Sequence, residues 1–311
     1  MSGEEKLSKI FYVQDLRMVC PTCNTTRETS TYDTFVYHHM SPDWTGSVTM
    51  PPSQARYFEN QLQNNPNSLD TAIMHCGTYS LTMDKPGVPK KKYKLGQPLR
   101  TLNLNLDEAL TKYKRLYTNN LYENIHDKIC PLPLGITRKE IADFKHLRIT
   151  KKEHLCYANF SITHNYRGNV IRWASTQEYI NCHFTKRFPE WDEQLDQKFF
   201  ADSLLPFDEF LSTLASHKFC IVPNGVGIDT DRLWECIFMN VVPIAQNNYG
   251  NRIFSKIWPM LLVERYETVN LQKMMLDFEN THGEITYDTD LLLLENLPFL
   301  LDRISFECKR A

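Results

Sequence analysis

The stretch FCIVPNGVGIDTDRLWECIFMNVVPIAQ, Phe219–Gln246, holds two apolar runs separated by a bend and an amphipathic segment. The first run stops at Pro223–Gly225, and the second occupies Val241–Ala245. Short apolar runs that are bounded by turn residues and joined by a helical pattern are typical of buried parallel strands on either side of a helix. The stretch therefore predicts a strand, a loop, a helix and a second strand of an α/β fold.

The bend between these runs has the residues that an anion site needs. Gly225 and Gly227 allow a positive φ and let a ligand approach bare backbone. Asp229 or Thr230 is expected to cap a helix that begins near Asp231. The first turn of such a helix offers free N–H groups and the positive end of a dipole, so the bend predicts an anion-binding loop.

Arg232 and Glu235 are spaced three residues apart and would share one face of this helix. A guanidinium can bind a diphosphate, and a carboxylate can accept hydrogen bonds from both hydroxyls of a ribose. The pair thus indicates a nucleoside diphosphate lying across the helix N-terminus. A glycine-rich turn with an exposed intrahelical ion pair is the structural alternative, and it stays open at this point.

Composition excludes several classes of partner. The 311 residues carry a formal net charge of −2, so no basic field recruits nucleic acid. No apolar run reaches about 18 residues, and the opening segment MSGEEKLSKIFYVQ lacks the apolar core of a signal peptide. Nine scattered cysteines do not form a disulfide framework. We expect a cytoplasmic, soluble protein with no membrane span.

Strand-like and helix-like segments alternate along the chain, which predicts an α/β protein with mainly parallel sheets. The helical pattern includes one long segment, LDEALTKYKRLYTNNLYENI, at Leu106–Ile125. Two prolines and a glycine in Pro131–Ile136 mark a boundary between two units. We expect an N-terminal domain at 1–137, a C-terminal domain at 138–296, and a last helix at about 297–311 that packs back on the first domain.

The stretch Phe219–Ile244 resembles the donor-binding segment of exostosin-like glycosyltransferases, glycosyltransferase family 47 and its relatives. Their pattern is roughly F-x-x-x-P-x-G-x-G-x-D-x-x-R-x-W-E-A-L-x-x-G-x-x-P-I. The resemblance extends upstream to about Leu116 and ends near Pro259, while the first hundred residues are only loosely similar. It implies a GT-B fold, in which two Rossmann-like domains face a cleft and the C-terminal one holds the nucleotide sugar.

Carried over position by position, the resemblance places the ribose on Glu235 and the diphosphate near Arg232 and Arg167. The donor-binding residues that it implies are Ser161, Thr163, Arg167, Asn224, Gly225, Gly227, Asp229, Arg232 and Glu235. Retaining relatives of this fold commonly pair two glutamates eight residues apart. Gly227 stands eight residues before Glu235, so inversion is favoured.

An inverting transfer needs a general base for the acceptor hydroxyl. The candidates are Asp43, His75 and Asp84, which all follow strand-like runs of the first domain. No essential metal or other cofactor is expected, because the two D-x-D strings, Asp229–Asp231 and Asp288–Asp290, are placed as helix caps.

The function expected from these residues is an inverting, metal-independent transfer of sugar from a nucleotide sugar to a glycan hydroxyl. The donor is expected to be a UDP-sugar, with UDP-xylose as the first candidate. Without an anchor, the chain resembles a soluble enzyme of the kind that large DNA viruses encode for use in the infected cell. Thr78 stands where relatives often have an acidic residue, which keeps a non-catalytic GT-B-like nucleotide- or carbohydrate-binding protein as the alternative. A nicotinamide oxidoreductase is disfavoured because the third glycine of G-x-G-x-x-G is absent, and a purely structural interaction protein ranks last.

Overall fold

The computed structural model describes residues 35–39, 71–75, 80–83, 101–163, 165–186, 195–293 and 296–311. Within these ranges every paired strand is parallel to its neighbour, and helices connect most of the strands. Parallel strands joined by helices define an α/β protein. The fold class predicted from the sequence is confirmed at that level. None of the helices in the described part of the chain is both long and apolar enough to cross a bilayer.

The first sheet contains strands from before residue 132 in the order β1-β2-β5-β6. A separate pair, β3-β4, accompanies it, and the short helix α1 precedes β5. The bounds are β1 Phe35–His39, β2 Thr71–His75, β3 Ser80–Met83, β4 Thr101–Leu104, α1 Asp107–Lys112, β5 Arg115–Thr118 and β6 Ile129–Pro131. A 3-10 segment, Lys139–Ile149, then leads to the second sheet.

The second sheet has the order β11-β10-β9-β7-β8. Its strands are β7 His154–Ala158, β8 Ile180–Cys182, β9 His217–Val222, β10 Val242–Gln246 and β11 Leu261–Val263. The helices are α2 Asn165–Ala174, α3 Phe207–Ala215, α4 Asp231–Phe238, α5 Tyr249–Phe254, α6 Leu271–His282 and α7 Leu297–Cys308. Short 3-10 segments lie at Gln197–Phe199, Tyr266–Thr268 and Asp290–Leu292. The strand order reverses between β7 and β9, and ligands of open α/β sheets bind beyond the carboxyl ends of the strands at such a reversal.

The stretch Phe219–Gln246 folds as β9, a loop, α4 and β10, as its pattern predicts. All five residues of β10 are buried, because helices cover both faces of the sheet. On α4, the fully buried Trp234 packs edge-on against Phe254 and Trp258 at centroid distances of 5.2 and 5.5 Å. This aromatic cluster fixes α4 against the helix that follows β10.

The last helix, α7, returns to the first sheet. The hydroxyl of Tyr117 on β5 donates a 2.9 Å hydrogen bond to the carbonyl of Leu301. Nε of Arg115 donates to Oγ of Ser305 at 3.0 Å. Helix α7 is therefore held against β5 of the first sheet. The domain limits at 137 and 296 stay a prediction.

The long helix predicted at Leu106–Ile125 is wrong beyond Lys112. The segment Arg115–Thr118 is instead a strand that pairs with β2 on one side and β6 on the other. Leu116, Tyr117 and Thr118 are consecutive and all buried, which suits an inner strand covered on both faces. Sheet pairing here outweighs a helical pattern that rests on propensity alone.

Candidate functional site

Two loops leave the second sheet side by side at the reversal of strand order. The loop at 159–163 follows β7, and the loop at 223–230 follows β9. Ala158 and Ile221 are partners in the parallel pair β7–β9, so both loops begin at the same edge of the sheet. We call the space between these loops and the N-terminal end of α4 the switch crevice. The predicted donor-binding residues all lie on these loops, on α4 or at the start of α2.

Arg167, in the first turn of α2, ties the two loops together. Its Nε donates to the carbonyl of Asn224 at 2.8 Å, its Nη1 to that of Ser161 at 2.9 Å, and its Nη2 to that of Pro223 at 2.9 Å. Burial lowers the pKa of this guanidinium to about 10, and no carboxylate of the described residues offsets the effect. Three of its five N–H groups thus donate to backbone carbonyls. The first role of Arg167 is therefore to hold the two loops of the crevice together.

Position 227 requires a glycine because Asn120, which follows β5 of the first sheet, packs closely against it. A Cβ at Gly227 would lie 2.7 Å from Oδ1 of Asn120. Asn120 adopts a φ of 58°, and its Oδ1 accepts a 2.8 Å hydrogen bond from the backbone N–H of Asp229. The other glycine of the loop, Gly225, lies beside Arg167, and a Cβ added at Gly225 would be 3.3 Å from Nη2 of that arginine. Both glycines therefore make room for side chains of the protein itself.

Asp229 joins the connection after β6 to the helix α4. Its Oδ2 accepts a 2.6 Å hydrogen bond from the backbone N–H of Leu134, and its Oδ1 accepts a 2.7 Å bond from the indole of Trp234. Burial raises the pKa of this carboxyl to about 7, although both N–H donors act to lower it. Helix α4 begins at Asp231, as expected, with Thr230 at the cap position, but the Thr230 side chain makes no capping hydrogen bond. The Asp229 carboxylate accepts from Leu134 and Trp234 instead.

Arg232 and Glu235 form a buried pair. Nη1 of Arg232 lies 3.4 Å from Oε2 of Glu235, and the two side chains are only 20% and 9% exposed. Nη2 of Arg232 donates to Oδ1 of Asn159 at 3.1 Å, and the guanidinium lies 3.9 Å from the ring centroid of Phe210. The pair is thus not the exposed helix-face pair of the structural alternative, whose contribution to stability would be small.

Among the described residues, Arg232 is the one ion-pair partner within 4 Å of the Glu235 carboxylate. The carboxylate accepts no hydrogen bond from the residues that the structure describes. Burial raises its pKa; the positive charges of Arg232 and Arg138 act against this shift, and the negative charge of Asp231 adds to it. A buried carboxylate normally accepts several hydrogen bonds, so Glu235 retains acceptor capacity that a ligand with hydroxyl groups could use.

Buried polar atoms on the loop after β7, at the start of α4 and on α4 lack hydrogen-bond partners. Within the described ranges, Oγ1 of Thr163, Oγ1 of Thr230, and Nε and Nη1 of Arg232 are buried and make no hydrogen bond. Three further buried atoms without partners, Nε of Arg148, Oη of Tyr166 and Oε2 of Glu267, lie on other segments. Most buried polar atoms in folded proteins are paired, so each unpaired one indicates a missing partner. Sequence reasoning named Thr230 only as a helix cap, and it did not single out Asn159 or Phe210. Their positions directly after β7, before α4 and on α3 become informative only once the strand order is known.

The remaining candidates are placed differently. Asp43 and Asp84 lie outside the described residues, and His75 is described only as the last residue of β2. In the string Asp288–Asp290, the backbone N–H of Asp290 donates to Oδ1 of Asp288 at 3.0 Å, so the string forms a local turn before a 3-10 segment. In the other string, Asp231 accepts a hydrogen bond from the hydroxyl of Thr137. No group of three His, Cys, Asp or Glu side chains in the described part of the chain is arranged to hold a metal ion.

Comparisons with known proteins leave the family open. No family model matches the chain, and no curated protein matches it. One similar solved structure is the N-terminal domain of trehalose-6-phosphate phosphatase from Candida albicans, with 13% sequence identity and a TM-score of 0.31. The match covers 54% of this chain and 45% of that one, so this chain spans less than half of the solved structure. A TM-score this low does not establish a shared fold.

Replacing Gly227 with alanine should destabilise the protein, because the new Cβ would meet Oδ1 of Asn120 at 2.7 Å. We expect a loss of about 1–3 kcal/mol in the free energy of unfolding, measured by chemical denaturation. Gly168→Ala on α2 is the matched control, since nothing lies within 4 Å of its Cβ. That variant should gain up to about 1 kcal/mol.

Asn120→Gly provides the second half of this test. Asn120 has a positive φ, so glycine fits there, and the clash with alanine at position 227 disappears. The double variant should therefore be more stable than additivity predicts, by about 1 kcal/mol or more. Strict additivity would show that Asn120 is not what requires the glycine.

The Asp229 carboxyl should make stability depend on pH. Its pKa is about 7 in the folded protein against 3.8 for the free side chain, so the folded state holds the proton more tightly. The contribution is therefore complete at low pH and is lost as the pH rises from about 4 through about 7. The unfolding free energy of the wild type, minus that of Asp229→Asn, should rise by about 2 kcal/mol from about pH 7.5 to about pH 5.5. A difference that falls over the same range would show that the N–H donors of Leu134 and Trp234 outweigh burial.

Proposed function

We propose that this chain is an inverting GT-B glycosyltransferase that binds a nucleotide sugar in the switch crevice and transfers the sugar to a glycan hydroxyl. The observation that carries the proposal is the buried Glu235 carboxylate, which has acceptor capacity to spare beside a guanidinium with unpaired N–H groups. A ribose diol and a diphosphate are the complementary groups. The expected nucleotide is UDP.

The proposed binding mode follows from the unpaired atoms. Glu235 accepts hydrogen bonds from the ribose hydroxyls. The diphosphate lies at the N-terminal end of α4, where the hydroxyls of Thr163 and Thr230 and the Nε of Arg232 lack partners among the described residues. The positive end of the helix dipole favours the same position for an anion. Arg167 adds its positive charge and holds Ser161 and Asn224, and with them the two loops, in register.

The proposed chemistry is a direct displacement at the anomeric carbon. The acceptor hydroxyl loses its proton to a general base, its oxygen bonds to the anomeric carbon, and the bond from that carbon to the diphosphate oxygen breaks. Negative charge develops on the departing diphosphate, and Arg232, Arg167 and the helix N-terminus stabilise it without a metal ion. The base is proposed to come from the first domain, from among Asp43, His75 and Asp84.

A non-catalytic nucleotide- or carbohydrate-binding protein is the second candidate, because Thr78 stands at the acidic position of the related pattern. Both candidates bind UDP in the switch crevice. They differ in turnover: the enzyme releases UDP from a UDP-sugar when acceptor or water is present, and the binding protein does not. A coupled assay for UDP over a panel of UDP-sugars separates the two.

Glu235→Gln should weaken UDP binding, because an amide offers one acceptor oxygen and no charge. Charge-assisted hydrogen bonds contribute about 1.5–3 kcal/mol each, so we expect a loss of about ten- to more than a hundredfold in affinity by calorimetric titration. The matched control is Glu178→Gln, an exposed glutamate at the opposite edge of the same sheet, just before β8. This control should bind UDP like the wild type.

The 2′-deoxy nucleotide sharpens the test. It should bind the wild type less tightly than UDP does, and lose little more in Glu235→Gln, because the partner of its missing hydroxyl is already weakened. Equal affinity of wild type and Glu235→Gln for UDP would remove the main support for the proposed binding mode.

A further inference from the structure

A second cavity lies at the opposite edge of the second sheet. It has a volume of about 410 Å³ and is lined by Phe219, the third residue of β9, and Val242 at the start of β10. These two residues are partners in the parallel pair, so the cavity lies at the amino ends of the strands. The four residues Phe219–Val222 of β9 separate it from the loop of the switch crevice, roughly 13 Å at the rise of a strand. A volume of this size falls in the range of small-molecule sites.

The cavity is lined by three lysines and two glutamates, and these charges are only partly paired with one another. Lys151, Lys152 and Lys218 line it together with Glu279 and Glu284. Nζ of Lys218 forms an ion pair with Oε1 of Glu279 at 2.5 Å, so these two charges offset each other. Nζ of Lys151 lies 4.0 Å from Oε1 of Glu153, so that lysine also has an acidic partner. Among the described residues, Lys152 is the lysine of the cavity that forms no ion pair.

Lys152 is the lysine that sits deepest. Its Nζ donates to the carbonyl of Ala215 at 2.8 Å and to that of Met239 at 3.1 Å. These carbonyls lie at the C-terminal ends of α3 and α4, where the helix dipoles place partial negative charge. Burial nevertheless lowers the pKa of Lys152 to about 8, with Glu284 acting weakly in the other direction. Since an ammonium has three N–H donors, one remains after the two carbonyls.

The other wall of the cavity is apolar. Phe278 of α6 packs edge-on against Phe219 at a centroid distance of 5.9 Å, and the half-buried Ile285 lies just beyond the end of α6. Asn240 also lines the cavity, but its amide is used by the protein: Oδ1 accepts from the backbone N–H of Tyr287 at 3.0 Å and Nδ2 donates to the carbonyl of Arg148 at 3.2 Å. The cavity thus combines one available cationic donor with an aromatic and branched apolar surface.

We propose that this cavity binds a small molecule that has a single carboxylate and an apolar, ring-sized body, with the carboxylate on Nζ of Lys152 and the body against Phe278 and Ile285. One carboxylate pairs with the ammonium of Lys152, which forms no ion pair among the described residues, and takes up its third N–H donor. The site is separate from the proposed nucleotide site. The inference holds whether or not the chain is a glycosyltransferase.

The test uses the full chain and two ligands that differ only in charge, 3-phenylpropanoate and 3-phenylpropanamide. Binding is measured by calorimetric titration and by saturation-transfer NMR. We expect the carboxylate to bind about tenfold or more tightly than the amide, because a hydrogen bond to a charged group contributes more than one to a neutral group. Saturating UDP should not displace the carboxylate.

Lys152→Met and Lys151→Met are the matched variants, since both remove one lysine charge and keep an unbranched side chain. Lys151 is largely exposed and lies 4.0 Å from Glu153, outside the buried part of the cavity. We expect Lys152→Met to lose the preference for the carboxylate and Lys151→Met to keep it. If both variants retain the preference, or if the wild type binds neither ligand at about 10 mM, the proposal is overturned.

Lys152→Met removes two hydrogen bonds to helix ends, so this variant could fail to fold. A cavity-filling variant provides a test that does not depend on it. Ile285→Trp leaves every charge in place and fills the apolar half of the cavity. Its binding of 3-phenylpropanoate should fall by about tenfold or more while its unfolding remains cooperative. Unchanged binding in this variant would place the ligand elsewhere and contradict the proposal.

Discussion

The buried carboxylate of Asp229 is the contact on which the rest of the site depends. It accepts one N–H from Leu134, in the connection after β6, and one from Trp234 on α4. The backbone N–H of the same residue is held by Asn120, which follows β5. The loop after β9 is therefore held by residues that follow strands of the first sheet as well as by residues of the second sheet. Because buried polar groups cost free energy when unpaired, these bonds fix the loop in one arrangement.

Arg167 applies a second constraint from within the second sheet. By donating to backbone carbonyls of both loops, it makes the crevice a single rigid unit. Rigid placement matters for the proposed chemistry, since preorganised groups stabilise a developing charge without further rearrangement. Beyond these structural contacts, Glu235 can still accept hydrogen bonds. Donors of Arg232, Thr163 and Thr230 have no partner among the described residues. The proposed function rests on these groups.

The sequence predicted the parts of the fold that depend on local pattern. Strand β9, the loop, α4 and β10 follow from apolar runs, glycines and an amphipathic period within Phe219–Gln246. The strand Arg115–Thr118 could not be found in this way, because its burial comes from pairing with two strands distant in sequence. A prediction that used only neighbouring residues continued the helix of Asp107–Lys112 through it.

The same limit applies to the site. The sequence brought Arg232 and Glu235 to one face of a helix, and the structure adds that the pair is buried. The sequence could not reveal why residue 227 is a glycine, because the side chain that needs the space, Asn120, follows a strand of the other sheet. The sequence also could not show that Arg167 donates to backbone carbonyls, because its pattern is the same for an arginine that binds a ligand and for one that binds the backbone.

Hydrogen exchange of the full chain with and without UDP tests the central claim most directly. If the nucleotide lies in the switch crevice, backbone amides in the loops at 159–163 and 223–230 and in the first turn of α4 should exchange more slowly when UDP is bound. Amides of α6, which borders the opposite edge of the sheet, should be unaffected. Protection that is absent from these loops, or that appears at α6 instead, would contradict the account.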